Sequence, residues 1–316
     1  MNLQTKISLS KQLHNLIGYE SKILLLGSCF SENIGEKFDY LKFETSINPF
    51  GILFHPLAIE TLITRSINKD FYSKDELILN NEIYSCFDAH SRLNSLSKEN
   101  ILKGLNASIE HTYQQIHEAS HVIITLGTAW VYRHIATDKI VANCHKVPQK
   151  QFLKELLCIE KITESLKAII SLVKSVNPNA NFIFTVSPVR HLKDGFVENT
   201  RSKSYLISAI HQLVDARKQL YYFPSYEIML DELRDYRFYN ADMLHPNHLA
   251  VEYIWNKFKD VWISEPSLDT LQKVTSIQTR KLHKAFNPRS ESHIKFLDQL
   301  NLDIAALKER YPFMDF

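Results

Sequence analysis

Apolar residues follow two rhythms along this chain. Short, nearly unbroken runs at Lys22–Leu26, His121–Leu126, Asn181–Val186 and Leu220–Phe223 alternate with longer stretches in which apolar positions recur every three or four residues. The short runs, bounded by turn residues, read as strands buried on both faces, and the longer pattern reads as amphipathic helix. Helices are expected over about Ser31–Asp39, Pro56–Ile67, Lys98–Glu118, Ile159–Val176, Arg201–Lys218 and Leu249–Phe258. In the fourth of these, Ile162, Leu166, Ile169, Ile170 and Val173 share a face, and Pro178 stops the helix. Strands separated in this way predict an α/β fold with a parallel sheet covered on both faces by right-handed crossovers.

The intervening segments are less regular. Thr45–Gly51 reads as a loop punctuated by Pro49 and Gly51, Tyr72–Ser97 contains a short β excursion around Glu82–Phe87, and Arg133–Lys146 is a second excursion. Residues up to Glu20 are polar and aperiodic and receive no role. From Pro266 the chain is again helical, with Ile294, Leu297, Leu300, Ile304 and Leu307 on one face for packing on the domain or on a second copy. This divides the chain into a domain over residues 1–262 and a C-terminal helical extension over 263–316. In parallel sheets the working edge is the carboxyl end of the strands. Ser28, Gly127–Trp130 and Ser187–Arg190 all fall there.

Composition narrows the classes. The chain has 316 residues, 45% of them apolar, enough for a large core. A formal charge of +2 without a basic, aromatic-interleaved stripe speaks against a nucleic-acid partner. No run reaches the ~18 apolar residues of a membrane span, and Met1–Glu20 has no apolar signal core. No membrane association and a cytoplasmic location are therefore expected. Cys29, Cys86, Cys144 and Cys158 lack CxxC spacing, so they read as reduced thiols rather than a zinc or dithiol site.

A serine becomes a nucleophile near neutral pH when a base takes its proton and an acid orients the base. Ser28, delivered at the end of an apolar strand, is the candidate nucleophile, and Asp242-Met243-Leu244-His245 supplies an acid and a base three residues apart. Taken singly, a serine after a strand is often only a helix cap, and a DxxH pair arises by chance. Cys29 is an alternative nucleophile, since thiols at helix starts have lowered pKa values; the plainer reading is packing. Asp88, His90, His145, Asp242 and His245 could make a metal site, but no two of the histidines have HxH or HxxxH spacing, and no metal or other cofactor is called. His90 and His145 either line a substrate cleft or satisfy buried carbonyls. Arg190 is a candidate for an anionic part of a substrate.

The ordered blocks Gly27-Ser28-Cys29-Phe30, Asn48-Pro49-Phe50-Gly51, Leu126-Gly127-Thr128-Ala129-Trp130, Asn143-Cys144-His145-Lys146 and Asp242-Met243-Leu244-His245-Pro246 resemble the GSCFA family, within the SGNH (GDSL-like) hydrolase superfamily. The family name spells Gly-Ser-Cys-Phe-Ala; here Ser31 stands fifth. The resemblance implies a three-layer α/β/α sandwich and acyl-ester chemistry with Ser28 as nucleophile, His245 as base and Asp242 as its orienter. It implies an oxyanion hole from the Ser28 and Gly51 N–H groups. The superfamily's third donor, an asparagine two residues after the glycine of its third block, is Ala129 in this chain, which leaves Thr128, Asn143 or His145 to fill the place. Asn48, His90, Trp130, Asn143, His145 and Arg190 are assigned to substrate contact.

The expectation is a cofactor-free serine hydrolase deacylating a carbohydrate or other small polar ester, with an oligomer through the C-terminal helices as a further option. An acyltransferase of the same mechanism is the near alternative. A binding protein that keeps the fold without turnover is the distant one, with Ala129 as its support.

Overall fold

The computed structural model describes residues 5–316. β1 (Lys22–Gly27) runs into α1 (Cys29–Tyr40), and β2 (Glu44–Ile47) follows. After α2 (Pro56–Asn68), a hairpin of β3 (Leu77–Asn80) and β4 (Ile83–Cys86) leads to α3 (Lys98–Glu118) and β5 (His121–Leu126). A small antiparallel sheet of β6 (Trp130–His134), β7 (Lys139–Val141) and β8 (Phe152–Leu156) precedes α4 (Ile159–Val176) and β9 (Asn181–Val186). Next come α5 (Phe196–His211), β10 (Leu220–Tyr222) and a single turn, α6 (Ser225–Glu227), which continues as π-helix over Ile228–Glu232. The chain closes with α7 (His248–Trp262), α8 (Glu265–Lys281) and α9 (Glu291–Arg310).

The main sheet is wholly parallel, in the order β2-β1-β5-β9-β10. From β1 the chain first adds β2 on one side and then returns to add β5 on the other. The topology therefore switches direction between β1 and β5, and in such sheets ligands bind in the crevice outside the strand ends at that point. Ser28 stands there, directly after β1.

Alternation along the strands sends side chains to two cores. Leu24, Leu26, Val122, Ile124, Phe182 and Phe184 pack beneath α2, α3, α4 and α5. Ile23, Leu25, Ile123, Ile183 and Tyr221 pack against α1, α7 and the C-terminal helices. The result is three layers, helices on sheet on helices, as expected from the sequence. Val274, Ile277, Leu300 and Leu307 belong to the second core, so α8 and α9 close the same layer that α1 and α7 begin.

Several local expectations are corrected. The sheet has five strands rather than four: Glu44–Ile47 is its edge, and its polar Glu44-Thr45-Ser46 has no apolar run because an edge strand is only partly covered. The Arg133–Lys146 excursion belongs to a three-stranded sheet that also takes Phe152–Leu156. The helix expected at Arg201–Lys218 occupies Phe196–His211, because Gly195 at φ 93° starts it without a side-chain cap. Residues before Glu20 do have a role: Ile17 and Tyr19 are fully buried, Ile17 bridges to Ile263, and Tyr19 stacks on Phe43 at 4.3 Å. Two buried side chains in a polar stretch carry no periodicity to detect. On α9, Leu300 and Leu307 are buried while Ile294 and Leu297 are exposed.

Phe38 ties α1 to α7, meeting Phe43, Trp255 and Phe258 edge-on at centroid distances of 5.3, 4.8 and 5.8 Å. Truncating it leaves a void that close-packed rings cannot fill. Phe38→Ala is expected to cost about 3–5 kcal/mol in urea unfolding, with little change in the slope against urea.

Candidate active site

Gly27 ends β1 at φ +135°, and a Cβ there would lie 2.1 Å from the Thr125 carbonyl oxygen. Only glycine permits this approach of two backbones. The chain then turns, and Ser28 at φ −72°, ψ 175° becomes the N-cap of α1. Its N–H donates to Thr125 O at 3.0 Å, continuing the β1–β5 ladder, and its Oγ accepts from Phe30 N–H at 3.3 Å. Ser28 is only 1% exposed.

Asn48, just past β2, lies against this turn. Its N–H donates to Leu25 O at 2.9 Å, and its Oδ1 accepts from Gly27 N–H at 2.9 Å. Its carbonyl accepts from Gly51 N–H at 2.7 Å and from Arg92 Nη2 at 2.9 Å. That leaves Nδ2 buried with no hydrogen-bond partner among the described residues. A buried donor left unpaired typically costs about 1–3 kcal/mol, so it marks a place where an acceptor from outside the chain would be stabilised.

The acid and base form a compact pair before α7. Asp242 Oδ1 accepts the N–H groups of Leu244 at 2.9 Å and His245 at 3.0 Å, while Oδ2 accepts from His245 Nδ1–H at 2.6 Å. These N–H groups, and the imidazole after them, hold the Asp242 carboxyl down at about 2. With Nδ1 engaged, Nε2 is the free nitrogen of the ring. Among the described residues no hydrogen bond joins His245 to Ser28.

Two residues of this region, one buried and one half-buried, carry no mark in the motif pattern. Lys203 on α5 donates to Gly127 O and Ser187 O, both at 2.7 Å, and so ties the turn after β5 to the turn after β9. Burial pushes its ammonium down to about 7. A neutral amine retains two N–H donors, which matches the two carbonyls. Its signal in the sequence was a lysine at helical spacing with Leu206 and Ile210, in the stripe where the core is expected. His191 is held down to about 4 by burial and then by Lys203 and His245, and its Nε2 has no hydrogen-bond partner among the described residues. That nitrogen sits by Gly127, 3.2 Å from where a Cβ would be, and the ring lies 5.9 Å from Phe54.

The expected oxyanion donors are not free. Ser28 N–H is spent in the sheet ladder, Gly51 N–H closes its own turn onto Asn48 O, and Thr128 Oγ1 bonds Ser202 Oγ at 2.9 Å and accepts from Trp130 N–H at 3.0 Å. Of the residues expected to contact substrate, His145 instead holds β4, bonding Cys86 O at 2.7 Å and Asn94 at 3.3 Å, and Asn143 Oδ1 accepts its N–H. Asn143 and Trp130 line a cavity of about 370 Å³. His90 packs on Gly51 and accepts from Arg92 N–H at 3.3 Å; Arg190 donates to Tyr239 Oη at 3.3 Å.

The Cys29 thiol is pushed up by burial and by Glu32, only partly offset by Lys203, which is the wrong direction for a thiolate nucleophile. The histidines and acids weighed as a metal site do not come together: no group of three or more His, Cys, Asp or Glu suited to a metal occurs among the described residues. Asp88 faces Tyr72, whose hydroxyl donates to it at 3.3 Å. No helix among the described residues is long and apolar enough to cross a membrane.

The model of the GSCFA family matches residues 22–258, and that of the GSCFA domain protein C-terminal domain matches residues 274–316. The first match runs from β1 through most of α7 and includes Ser28, Asn48, Lys203 and the Asp242–His245 pair. The second covers the C-terminal half of α8 and all of α9. A search of curated proteins finds no match.

Lys203 gives the site a pH signature. Its folded pKa lies below the usual 10.5, so between about 7 and 10.5 the unfolded chain binds the extra proton and stability rises with pH. Urea unfolding across that window should show native stability gaining on that of Lys203→Met as pH rises. A constant difference between the two proteins would contradict the assignment.

Proposed function

The chain belongs to the GSCFA family, and we propose that it is a serine-dependent hydrolase of acyl esters that works by the SGNH-type mechanism. The Asp242–His245 pair carries this reading. A carboxylate that accepts both local N–H groups and the imidazole Nδ1–H fixes the ring's tautomer and direction, the arrangement a general base requires. Ser28 supports it by its position at the topological switch point and at the N-cap of α1, where the helix dipole favours negative charge.

In the proposed cycle Ser28 Oγ forms a bond to the ester carbonyl carbon as its proton passes to His245 Nε2. The electron pair of the carbonyl moves onto its oxygen. When the tetrahedral species collapses, the bond to the alkoxy oxygen breaks and that oxygen leaves with the proton from His245. Water then repeats the sequence on the acyl-enzyme and restores Ser28. Transfer to a second alcohol shares the first half of this cycle.

The oxyanion is proposed to rest on Asn48 Nδ2, joined by Phe30 N–H once Ser28 Oγ turns to the substrate and releases it. The amide is already oriented by Gly27 and has no internal acceptor to give up. Asn48 would thus do what the superfamily's asparagine does, from the β2 loop instead of the position that Ala129 occupies.

One observation favours a second reading, a binding protein without turnover: Ser28 is 1% exposed and its Oγ is committed to Phe30 N–H. Hydrolysis requires the turn to open or tighten as substrate enters, a change that sites without ligand often undergo.

A fluorophosphonate probe read by intact mass separates the two. Labelling of the native protein that is lost in Ser28→Ala supports the hydrolase, whereas no labelling at any pH supports the binding protein. On p-nitrophenyl esters, Asn48→Ala is expected to lower kcat by about 10²–10³-fold, and Asp242→Asn by about 10⁴-fold. Asp242 keeps its charge down to about pH 2, so it should contribute nothing to any loss of activity between pH 4 and 6.

A further inference from the structure

We propose that the cavity beside the candidate active site is the alcohol-side subsite, and that it takes a sugar-sized ring bearing a negative charge. The proposal rests on the hydrolase reading and narrows its substrate class. The cavity encloses about 370 Å³, the size of a pocket for one small ring. Its wall includes the rings of Phe54, Trp130 and Tyr132 together with the amides of Asn143 and Gln149, a combination that stacks on a ring face and bonds hydroxyls at its edge.

Charge selects the ligand further. Lys146 and Lys193 line the cavity, and none of its lining residues is Asp or Glu. Neither lysine has an ion pair or a side-chain hydrogen bond among the described residues; Lys193 stands 5.5 Å from the Tyr132 ring centroid. Of the acids nearby, Asp194 pairs with Lys154, which lies over Trp130 at 4.6 Å, and Glu198 stands 3.7 Å from Arg201, its Oε2 without a hydrogen bond among the described residues. The rim therefore holds more positive charge than the chain neutralises, and a carboxylate or phosphate on the ligand would complete it.

The cavity also connects to the reacting centre. Phe54 lines it, and its carbonyl accepts the N–H groups of Gly127 at 2.7 Å and Thr128 at 3.3 Å. Its ring lies 5.9 Å from His191, which is close enough to His245 to feel its charge. A ring seated among Trp130, Tyr132 and Phe54 would present its ester toward the crevice at the end of β1.

The test uses Ser28→Ala protein, so that binding is read without turnover, and three acetylated ligands that share a pyranose ring: glucose, glucuronic acid and glucose 6-phosphate. Titration calorimetry is expected to give about tenfold tighter binding of at least one anionic ligand than of the neutral one, an advantage that shrinks as salt is raised. Which anion is preferred identifies carboxylate or phosphate as the natural group. Introducing Lys146→Gln and Lys193→Gln together should erase the advantage of the anionic ligand over the neutral one. Equal affinity for all three ligands, or an advantage that survives both substitutions, overturns the proposal. Selective binding of an anion by a native protein that neither labels with fluorophosphonate nor turns the ester over would instead sink the hydrolase reading and leave the subsite standing.

Discussion

Two backbones touch at the centre of this protein, and most of what surrounds Ser28 follows from that contact. Gly27 and Thr125 approach so closely that no side chain fits between them. The β1–β5 ladder therefore continues one residue past the strand, through Ser28 N–H to Thr125 O, before the chain swings into α1. The nucleophile candidate is thereby placed on rigid backbone at the switch point of the sheet. The same bond removes its N–H from the pool of oxyanion donors. Gly51 is likewise consumed by its own tight turn. The group left over is the Asn48 amide, held by Gly27 N–H and unpaired on its nitrogen.

The turns at the neighbouring strand ends are held from below. Lys203 reaches from α5 to bind the carbonyls of Gly127 and Ser187, so the loops after β5 and β9 share one buried anchor. Burying an amine is costly, and the depressed pKa reflects that cost. Around this framework the two faces of the sheet have different duties. One core, under α2 to α5, is continuous with the inserted small sheet that shapes the cavity. The other is closed by α1, α7, α8, α9 and the residues around Ile17 and Tyr19, which tie both ends of the chain to the same layer.

The central architecture was legible because buried parallel strands are written as unbroken apolar runs and their helices as amphipathic stripes. His121–Leu126, Ile159–Val176 and Asn181–Val186 fall where those patterns put them. Glu44–Ile47 leaves no apolar run because an edge strand needs only partial cover, and the three-stranded insertion leaves none because its strands are short and half exposed. At the site, residue types and spacing pointed to Asp242 and His245 as a pair, and the two are joined at 2.6 Å. What the sequence could not convey was which donors remain free once the backbone is folded. Gly51 and Thr128 looked available by type and are occupied by geometry, whereas the orphaned Asn48 amide and the buried Lys203 emerge only from the three-dimensional hydrogen-bond pattern.

The central claim is that Ser28 attacks and that the Asn48 amide receives the resulting charge. It is tested most directly by a crystal structure of the protein after reaction with a small alkyl phosphonate. The account predicts phosphorus bonded to Ser28 Oγ, with the phosphoryl oxygen within hydrogen-bond distance of Asn48 Nδ2. An unmodified Ser28, or an adduct whose oxygen is held by Gly51 or Thr128 while the Asn48 amide stays unpaired, would contradict it.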